Sequence, residues 1–503
     1  MFSILKRIPL WVWLIFGFLF LNASTYGWYT SVWNDEVMLS DPAANLYFGH
    51  GFTSTAWPQS RAEHWVGNSP LHPLLLFLWF KLVGFGIFQV RVLDYLYWSI
   101  AVAVVCLAVR RAGLIRSQPA LATLVVMLFS GYALVFNYRS ARYDPLIFCV
   151  AALCFLAFTI SHPGWRRAAI ISTAALFLPT ALTLGPFAAA LGGLVLLVWG
   201  RKFFVELCCV ALGLIIGFGT IFVYLLWLGM WETYRQVTMY LALSYYPPGQ
   251  TTPIWQRKLA GLPHKLVSDP TVMVLLLALL AVFFFASKKL DATSRRLVIF
   301  GVAGFFFIPA LAQATYTYQI YHYWETFVPL AICLLALLER CRNLFSANVK
   351  HYSLILLSVV TFSLGLGLRL GLESTDINGR DYSKVERFVV SVIRPSDVVM
   401  ADFQAFYPLH KLQATTYYYP YLHVIKPMEA KTINCLLVQP GQFEAIRKKI
   451  GGGWIATGER LTRENKFTVE WLNHIFPNYY RNQSNQKYNL HVYRRALTGI
   501  IPP

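Results

Sequence analysis

Acidic residues are scarce. The 503-residue chain carries 23 Asp and Glu against 43 Lys and Arg, a formal net charge of +20, and only 13% of its residues are charged. With 57% hydrophobic and 16% aromatic residues, this excludes an ordinary soluble domain, in which about a quarter of residues are charged. The basic excess does not point to nucleic acid, because Lys and Arg fall in short clusters between apolar runs, as in the cytoplasmic loops of membrane proteins. Cysteine is sparse where it would matter: Cys106, Cys149, Cys154, Cys208, Cys209 and Cys333 lie in apolar runs and Cys341 in a basic loop, which leaves Cys435 alone beyond the last run. A lone cysteine builds no disulfide framework, and no spacing suggests a metal knuckle. A nucleotide-binding glycine fingerprint is also missing, since Gly451-Gly452-Gly453 follows a predicted helix and precedes a predicted strand, the reverse of the order that cradles phosphate. There is no evident internal repeat or low-complexity segment.

What is present is a series of long apolar runs. The first, residues 9–26, follows Lys6 and Arg7 and ends in a poor cleavage site, Ala23-Ser24-Thr25-Tyr26-Gly27-Trp28, so it is expected to be a retained anchor with a cytoplasmic N-terminus. Further runs cover 88–109, 120–136, 145–160, 168–183, 185–199, 203–227, 271–286, 297–312, 327–338 and 352–368, giving about eleven spans. The clusters Arg110/Arg111/Arg116, Arg166/Arg167, Arg201/Lys202, Lys288/Lys289/Arg295/Arg296 and Arg340/Arg342/Lys350 then all fall on the cytoplasmic side. Merging the two short runs around Pro179 and Gly185-Pro186 would put later clusters outside, so they are kept separate. The expected organisation is a membrane domain over 1–369, with a first exported loop at 27–87, and an exported α/β domain over 370–503, in a multi-pass protein of the plasma (inner) membrane. Residues 70–82 are too short to span and read as an interfacial helix. In the tail, 381–393 and 440–450 have helical character, and 397–401, 434–438, 453–457 and 488–493 read as strands. At about 130 residues the tail is long enough to bury its own core.

Asp35 and Glu36 sit together just after the first run, on the exported side. Acids at the lip of a membrane accept a proton, bind a cation or orient a hydroxyl; acids in a first turn also simply cap a helix. Arg139, Arg142 and Asp144 lie between the third and fourth runs, where two guanidiniums suit a phosphate and where snorkelling to the interface is the plain alternative. Tyr321, His322 and Glu325 fall in an aromatic cluster before the tenth run, and such aromatics commonly anchor at interfaces. Arg61, Glu63 and His64 fit acceptor contacts or a solvated loop face, and Trp231, Tyr234 and Arg235 fit either a cover over a ligand or an interfacial helix. Asp94 beside Arg91 suggests a local ion pair.

The run 68–84, Asn-Ser-Pro-Leu-His-Pro-Leu-Leu-Leu-Phe-Leu-Trp-Phe-Lys-Leu-Val-Gly, followed by Arg91-Val92-Leu93, Arg110-Arg111 and Tyr138-Arg139-Ser140-Ala141-Arg142-Tyr143-Asp144-Pro145-Leu146, closely resembles the protein mannosyltransferase and aminoarabinose transferase group of GT-C glycosyltransferases. Order and spacing carry the match, best over the first 200 residues. One departure is Ser69-Pro70-Leu71-His72-Pro73, where the family usually has His-Pro-Pro-Leu. The resemblance implies an α-helical polytopic GT-C fold and a sugar taken from a polyprenyl phosphate and passed, with inversion, to a cell-envelope acceptor on the exported face. It further implies Asp35 as catalytic base with Glu36 as helper, or the two roles exchanged. Arg139, Arg142 and His322 become donor-phosphate ligands, supported by Asp144, Tyr321 and Glu325. No cofactor or metal is implied, although Asp35, Glu36 and Asp144 are oxygen ligands of the kind Mg²⁺ or Mn²⁺ favours. A transporter with proton-coupling acids is the competing class; it calls for paired Gly/Pro-broken helices in matching halves, and the sequence shows none.

Overall fold

In hydrocarbon a chain must satisfy its own backbone polar groups, so apolar runs fold as helices. The computed structural model describes residues 8–27, 32–182, 185, 187–190, 192, 203–245, 256, 260–286, 290–315, 318–341, 346–374, 380–461 and 488–496. Among these, five helices are long and apolar enough to cross a membrane: Ile87–Arg111, Phe204–Trp227, Ala292–Ala314, Ile320–Arg340 and Ala347–Gly371. A bent pair, Gln118–Ser130 and Tyr132–Arg139, makes a sixth, and four shorter apolar helices are Leu10–Ser24, Leu71–Val83, Asp144–Phe158 and Pro270–Phe285. The protein is therefore a multi-pass membrane protein. Of the expected spans at 168–183 and 185–199, most of the second lies outside the described residues; the first is occupied by the end of the helix Pro163–Ala175, which packs along Phe203–Trp227, and by the short helix Phe177–Thr180.

Two runs expected as single spans are broken. The run 120–136 bends by 63° between Ser130 and Tyr132, because Gly131 leaves the helix with ψ 136°. The run 352–368 breaks at Gly365, where a Cβ would lie 1.6 Å from the Ser130 carbonyl oxygen. Backbone passes directly over backbone there, which only a residue without a side chain allows. The two breaks therefore meet. Hydropathy does not register them, since both segments on either side are equally apolar.

Beyond Ser374 the chain builds a five-stranded sheet in the order β2-β1-β3-β5-β4, with β1 Val398–Ala401, β2 Thr415–Tyr418, β3 Cys435–Val438, β4 Trp454–Leu461 and β5 Leu490–Arg495. β1 pairs in parallel with β2 and β3, while β5 runs antiparallel to β3 and β4. Side chains alternate between faces along a strand. Met400, Leu436 and Val438 thus enter a separate core with Ile446 and Ile450 of the helix Pro440–Ile450. Val399, Ala401, Cys435 and Leu437 face the opposite way, into the same continuous core as the membrane helices. Phe85 links the two parts by packing edge-on against Phe406 at 6.0 Å. The tail does not bury all of its core by itself.

Candidate functional site

The helix Asn34–Tyr47 places Asp35 and Glu36 in its first turn. Successive residues on a helix are turned by about 100°, so the two acids meet different surroundings. Glu36 is fully buried; it accepts hydrogen bonds from Arg91 Nη2 at 2.8 Å and from the Tyr407 hydroxyl at 2.8 Å. Arg91 therefore pairs with Glu36 and not with Asp94, which instead takes a hydrogen bond from the Arg142 backbone. Asp35 keeps 24% of its side chain exposed and forms an ion pair with Arg142 Nη1.

Arg142 follows Ala141, whose φ of +53° lies in the left-handed region, uncommon for a residue with a Cβ. This turn joins the helices Tyr132–Arg139 and Asp144–Phe158 and returns the arginine toward Asp35. Arg142 Nε donates to Asp144 Oδ2 at 2.8 Å, and its guanidinium lies 3.7 Å from the centre of the Tyr321 ring. Two carboxylates and an aromatic face thus hold one cation. His322 is buried at the end of the short turn Ile320–His322, edge-on to Tyr321 at 4.6 Å, and its Nδ1 accepts from the Gln319 backbone at 3.4 Å.

Asp35, Arg142, Tyr321 and His322 all line one cavity of about 250 Å³. Trp57 and Asn68 of the first loop, Tyr234 of the middle loop and Pro420 beyond the sheet strand β2 complete it. Sequence reasoning had singled out Tyr234 but not Trp57 or Pro420, which carry no local signal of their own; Asn68 lies at the start of the run 68–84. The remaining candidates lie elsewhere. Arg139 is buried against the first helix, donating to Asn22 Oδ1 at 2.6 Å and to the Thr25 carbonyl at 2.9 Å, so its expected place among phosphate ligands is taken by a helix-to-helix tie. Glu36 is likewise occupied by Arg91 and Tyr407, away from the cavity. Glu325 is fully buried near Asp144, with no hydrogen bond to its carboxylate among the described residues. Of the aromatics expected as interfacial anchors, Trp324 packs inside instead: it is fully buried and lies 5.4 Å from Phe148. His64 bonds the Tyr224 hydroxyl at 2.7 Å. Among the described residues, no group of three or more His, Cys, Asp or Glu is placed to hold a metal ion.

A second, apolar crevice of about 60 Å³ runs between Phe148, Phe155, Phe177, Phe300 and Val328. It shares no wall with the polar cavity, but Phe148 touches Trp324, the neighbour of Glu325. The polar cavity, unlike this crevice, is lined by Asp35, Arg142 and His322.

No protein-family model and no curated protein matches the sequence. Solved structures do. The aminoarabinose transferase ArnT from Cupriavidus metallidurans, bound to undecaprenyl phosphate, superposes with a TM-score of 0.62 at 14% identity, over 98% of this chain and 99% of that one. Its apo form gives a TM-score of 0.60 at 14% identity, over 96% and 98%. The arabinofuranosyltransferase AftD from Mycobacteria gives 0.47 at 12% identity, over 96% of this chain and 40% of that one. The match to ArnT over nearly the whole of both chains shows that this chain shares the fold of that structure, in keeping with the resemblance carried by residues 68–146.

Proposed function

We propose that this chain is an integral membrane glycosyltransferase that passes a sugar from a polyprenyl-phosphate donor to a cell-envelope acceptor, whether lipid, polysaccharide or protein, on the exported face. The observation that carries the reading is the meeting of Asp35, Arg142 and His322 on one cavity, in a fold shared with a transferase solved with undecaprenyl phosphate bound. The apolar crevice offers hydrocarbon-like walls of the kind an isoprenoid tail requires. The N-terminus is cytoplasmic and the sheet domain exported in this reading, consistent with the basic clusters between spans.

The chemistry follows from the ion pair. Asp35 occupies the anion position on Arg142. A donor phosphate entering the cavity competes for that guanidinium, while Asp144 keeps its own bond and holds the arginine in place. Asp35, released, takes the proton of the acceptor hydroxyl or amine. The acceptor lone pair attacks the anomeric carbon, the bond from that carbon to the phosphate oxygen breaks, and polyprenyl phosphate departs with the electron pair. A single displacement inverts the anomeric centre. Arg142, with His322 beside it, stabilises the charge that develops on the leaving phosphate, the task a divalent cation performs elsewhere; the reaction is read as metal-independent on that ground. Asp35 is preferred to Glu36 because Glu36 is committed to Arg91 and Tyr407.

Reconstituted Asp35→Asn protein, supplied with polyprenyl-phosphate sugar extracted from membranes, is expected to transfer no sugar while unfolding at the wild-type temperature. Full transfer by that variant removes Asp35 as base. Mass spectrometry of envelope glycans with and without the protein identifies the sugar and its carrier; unchanged glycans argue for another class. Transport, the competing expectation, calls for a cavity at the membrane midplane between matched halves, whereas this cavity is walled by the first loop and by Pro420.

A further inference from the structure

A second polar cleft, of about 340 Å³, opens on the other side of the first loop from the catalytic cavity. Its walls include Asn45, His50, Thr55 and Arg61 of the first loop and its flanks, and His410 and Thr416 of the sheet domain. The loop segment 55–61 separates the two spaces, with Thr55 and Arg61 facing the cleft and Trp57 facing the catalytic cavity. The sheet domain divides in the same way: Thr416 faces the cleft and Pro420 the cavity. The two spaces are therefore neighbours along one seam.

The cleft is pre-organised from behind by one buried carboxylate. Asp41 Oδ1 pairs with His410 Nε2 at 2.9 Å, and Asp41 Oδ2 accepts from Ser54 Oγ at 2.6 Å and from the Thr55 backbone at 2.9 Å. One residue thus fixes both the loop wall and the ring of the opposite wall. None of the side chains lining the cleft is acidic. Arg61 is 46% exposed, and its contact with Glu429 is a loose 3.7 Å; its guanidinium also lies 5.3 Å from the centre of the Tyr417 ring. It can turn to a ligand at little cost, because a half-exposed ion pair contributes about 1 kcal/mol or less. The Arg61 guanidinium complements an anion, while threonine hydroxyls and the Asn45 and Gln413 amides complement a polyol.

We propose that this cleft binds a saccharide bearing an anionic group, the part of the acceptor that lies beyond the hydroxyl or amine being glycosylated. The assignment rests on the transferase reading for its role as an acceptor site, and on the cleft alone for its ligand chemistry. It accounts for why the sheet domain is fastened to the first loop at this seam: the acceptor is gripped by both while its reactive end reaches past Trp57.

The test uses the full chain in lipid nanodiscs, with glucose 6-phosphate, glucose and inorganic phosphate as probes and saturation-transfer NMR as the readout. Glucose 6-phosphate is expected to bind, with glucose and phosphate each weaker by about tenfold or more. Arg61→Gln is expected to weaken glucose 6-phosphate by about tenfold, Thr416→Val to weaken it less, and Asp35→Asn to leave it unchanged, all with wild-type unfolding temperatures. Binding that ignores both Arg61→Gln and Thr416→Val overturns the proposal, as does binding lost in Asp35→Asn, which places the probe in the catalytic cavity. Equal binding of inorganic phosphate reduces the cleft to a general anion site and also overturns it. Undecaprenyl phosphate binding on the same samples separates the two readings. If the lipid phosphate binds and glucose 6-phosphate does not, the cleft proposal fails alone; if only glucose 6-phosphate binds, the donor reading fails and the ligand assignment stands.

Discussion

Arg142 is held by Asp35, Asp144 and the face of Tyr321 at once, a tighter setting than a snorkelling arginine has. Removing it leaves two carboxylates without their shared cation and, in the transferase reading proposed above, a donor phosphate without its strongest partner. Arg142→Ala is therefore expected to weaken undecaprenyl phosphate binding by about tenfold to a hundredfold while acceptor affinity changes little, as measured by separate titrations; equal losses would argue against phosphate recognition. Arg142→Lys should not restore the donor site, because a point charge cannot bond both carboxylate and phosphate as a planar fork does. At this scale the sequence was informative in an uneven way. That Asp35, Arg142 and His322 line one cavity accords with their places at the ends of apolar runs. The separation of Asp35 from Glu36, and of Arg142 from Arg139, was not legible: it depends on the helical turn between neighbours and on partners, Tyr407 among them, far away in the chain.

At the level of elements, hydropathy marked the apolar runs, of which five helices, or six with the bent pair, are long enough to cross a membrane among the described residues; it did not mark the breaks, because the close approach of Gly365 to the Ser130 backbone, next to Gly131, is encoded by no local pattern. Strand β2 was overlooked although Thr415-Thr416-Tyr417-Tyr418 carries the β-branched and aromatic residues that favour strands. The helix Leu71–Val83 was anticipated as interfacial, and it bears the displaced histidine of the run 68–84. His72 is buried with neither ring nitrogen hydrogen-bonded among the described residues, and burial holds it down at about 4. In the unfolded chain the ring titrates near its ordinary 6.5. Its folded value is the lower one, so the neutral ring's contribution is complete above about pH 6.5 and is lost as pH falls from there toward 4. The full loss is of the order of 3 kcal/mol. The wild type is expected to unfold at progressively lower temperature between pH 7 and pH 4.5, and His72→Phe to show a visibly smaller fall. Parallel curves for the two proteins would mean that His72 is hydrated or paired in solution.

Across the whole molecule, the sheet domain and the membrane domain are one packed body along the seam that holds both cavities. Tyr407 reaches Glu36 at 2.8 Å, His410 reaches Asp41 at 2.9 Å, and the backbone of Tyr418 donates to the Thr55 carbonyl at 3.2 Å. One face of the sheet covers its own helices, but Val399, Ala401, Cys435 and Leu437 belong to the core shared with the membrane helices. The sequence showed an α/β tail long enough to stand alone. It gave no sign of this shared face, because a strand buried on both sides reads the same whichever partner covers it. Cutting the chain before residue 380 would expose that face, together with Phe406 and Tyr407, to water. Burying such side chains is worth about 1.5–3 kcal/mol each, and a domain of about 5–15 kcal/mol total stability cannot lose several of them and remain native. The fragment 380–503 expressed alone is therefore expected to collapse without a cooperative thermal transition and to bind a hydrophobic dye. A sharp transition with dispersed amide resonances would instead show that the membrane domain contributes position to this unit and not stability.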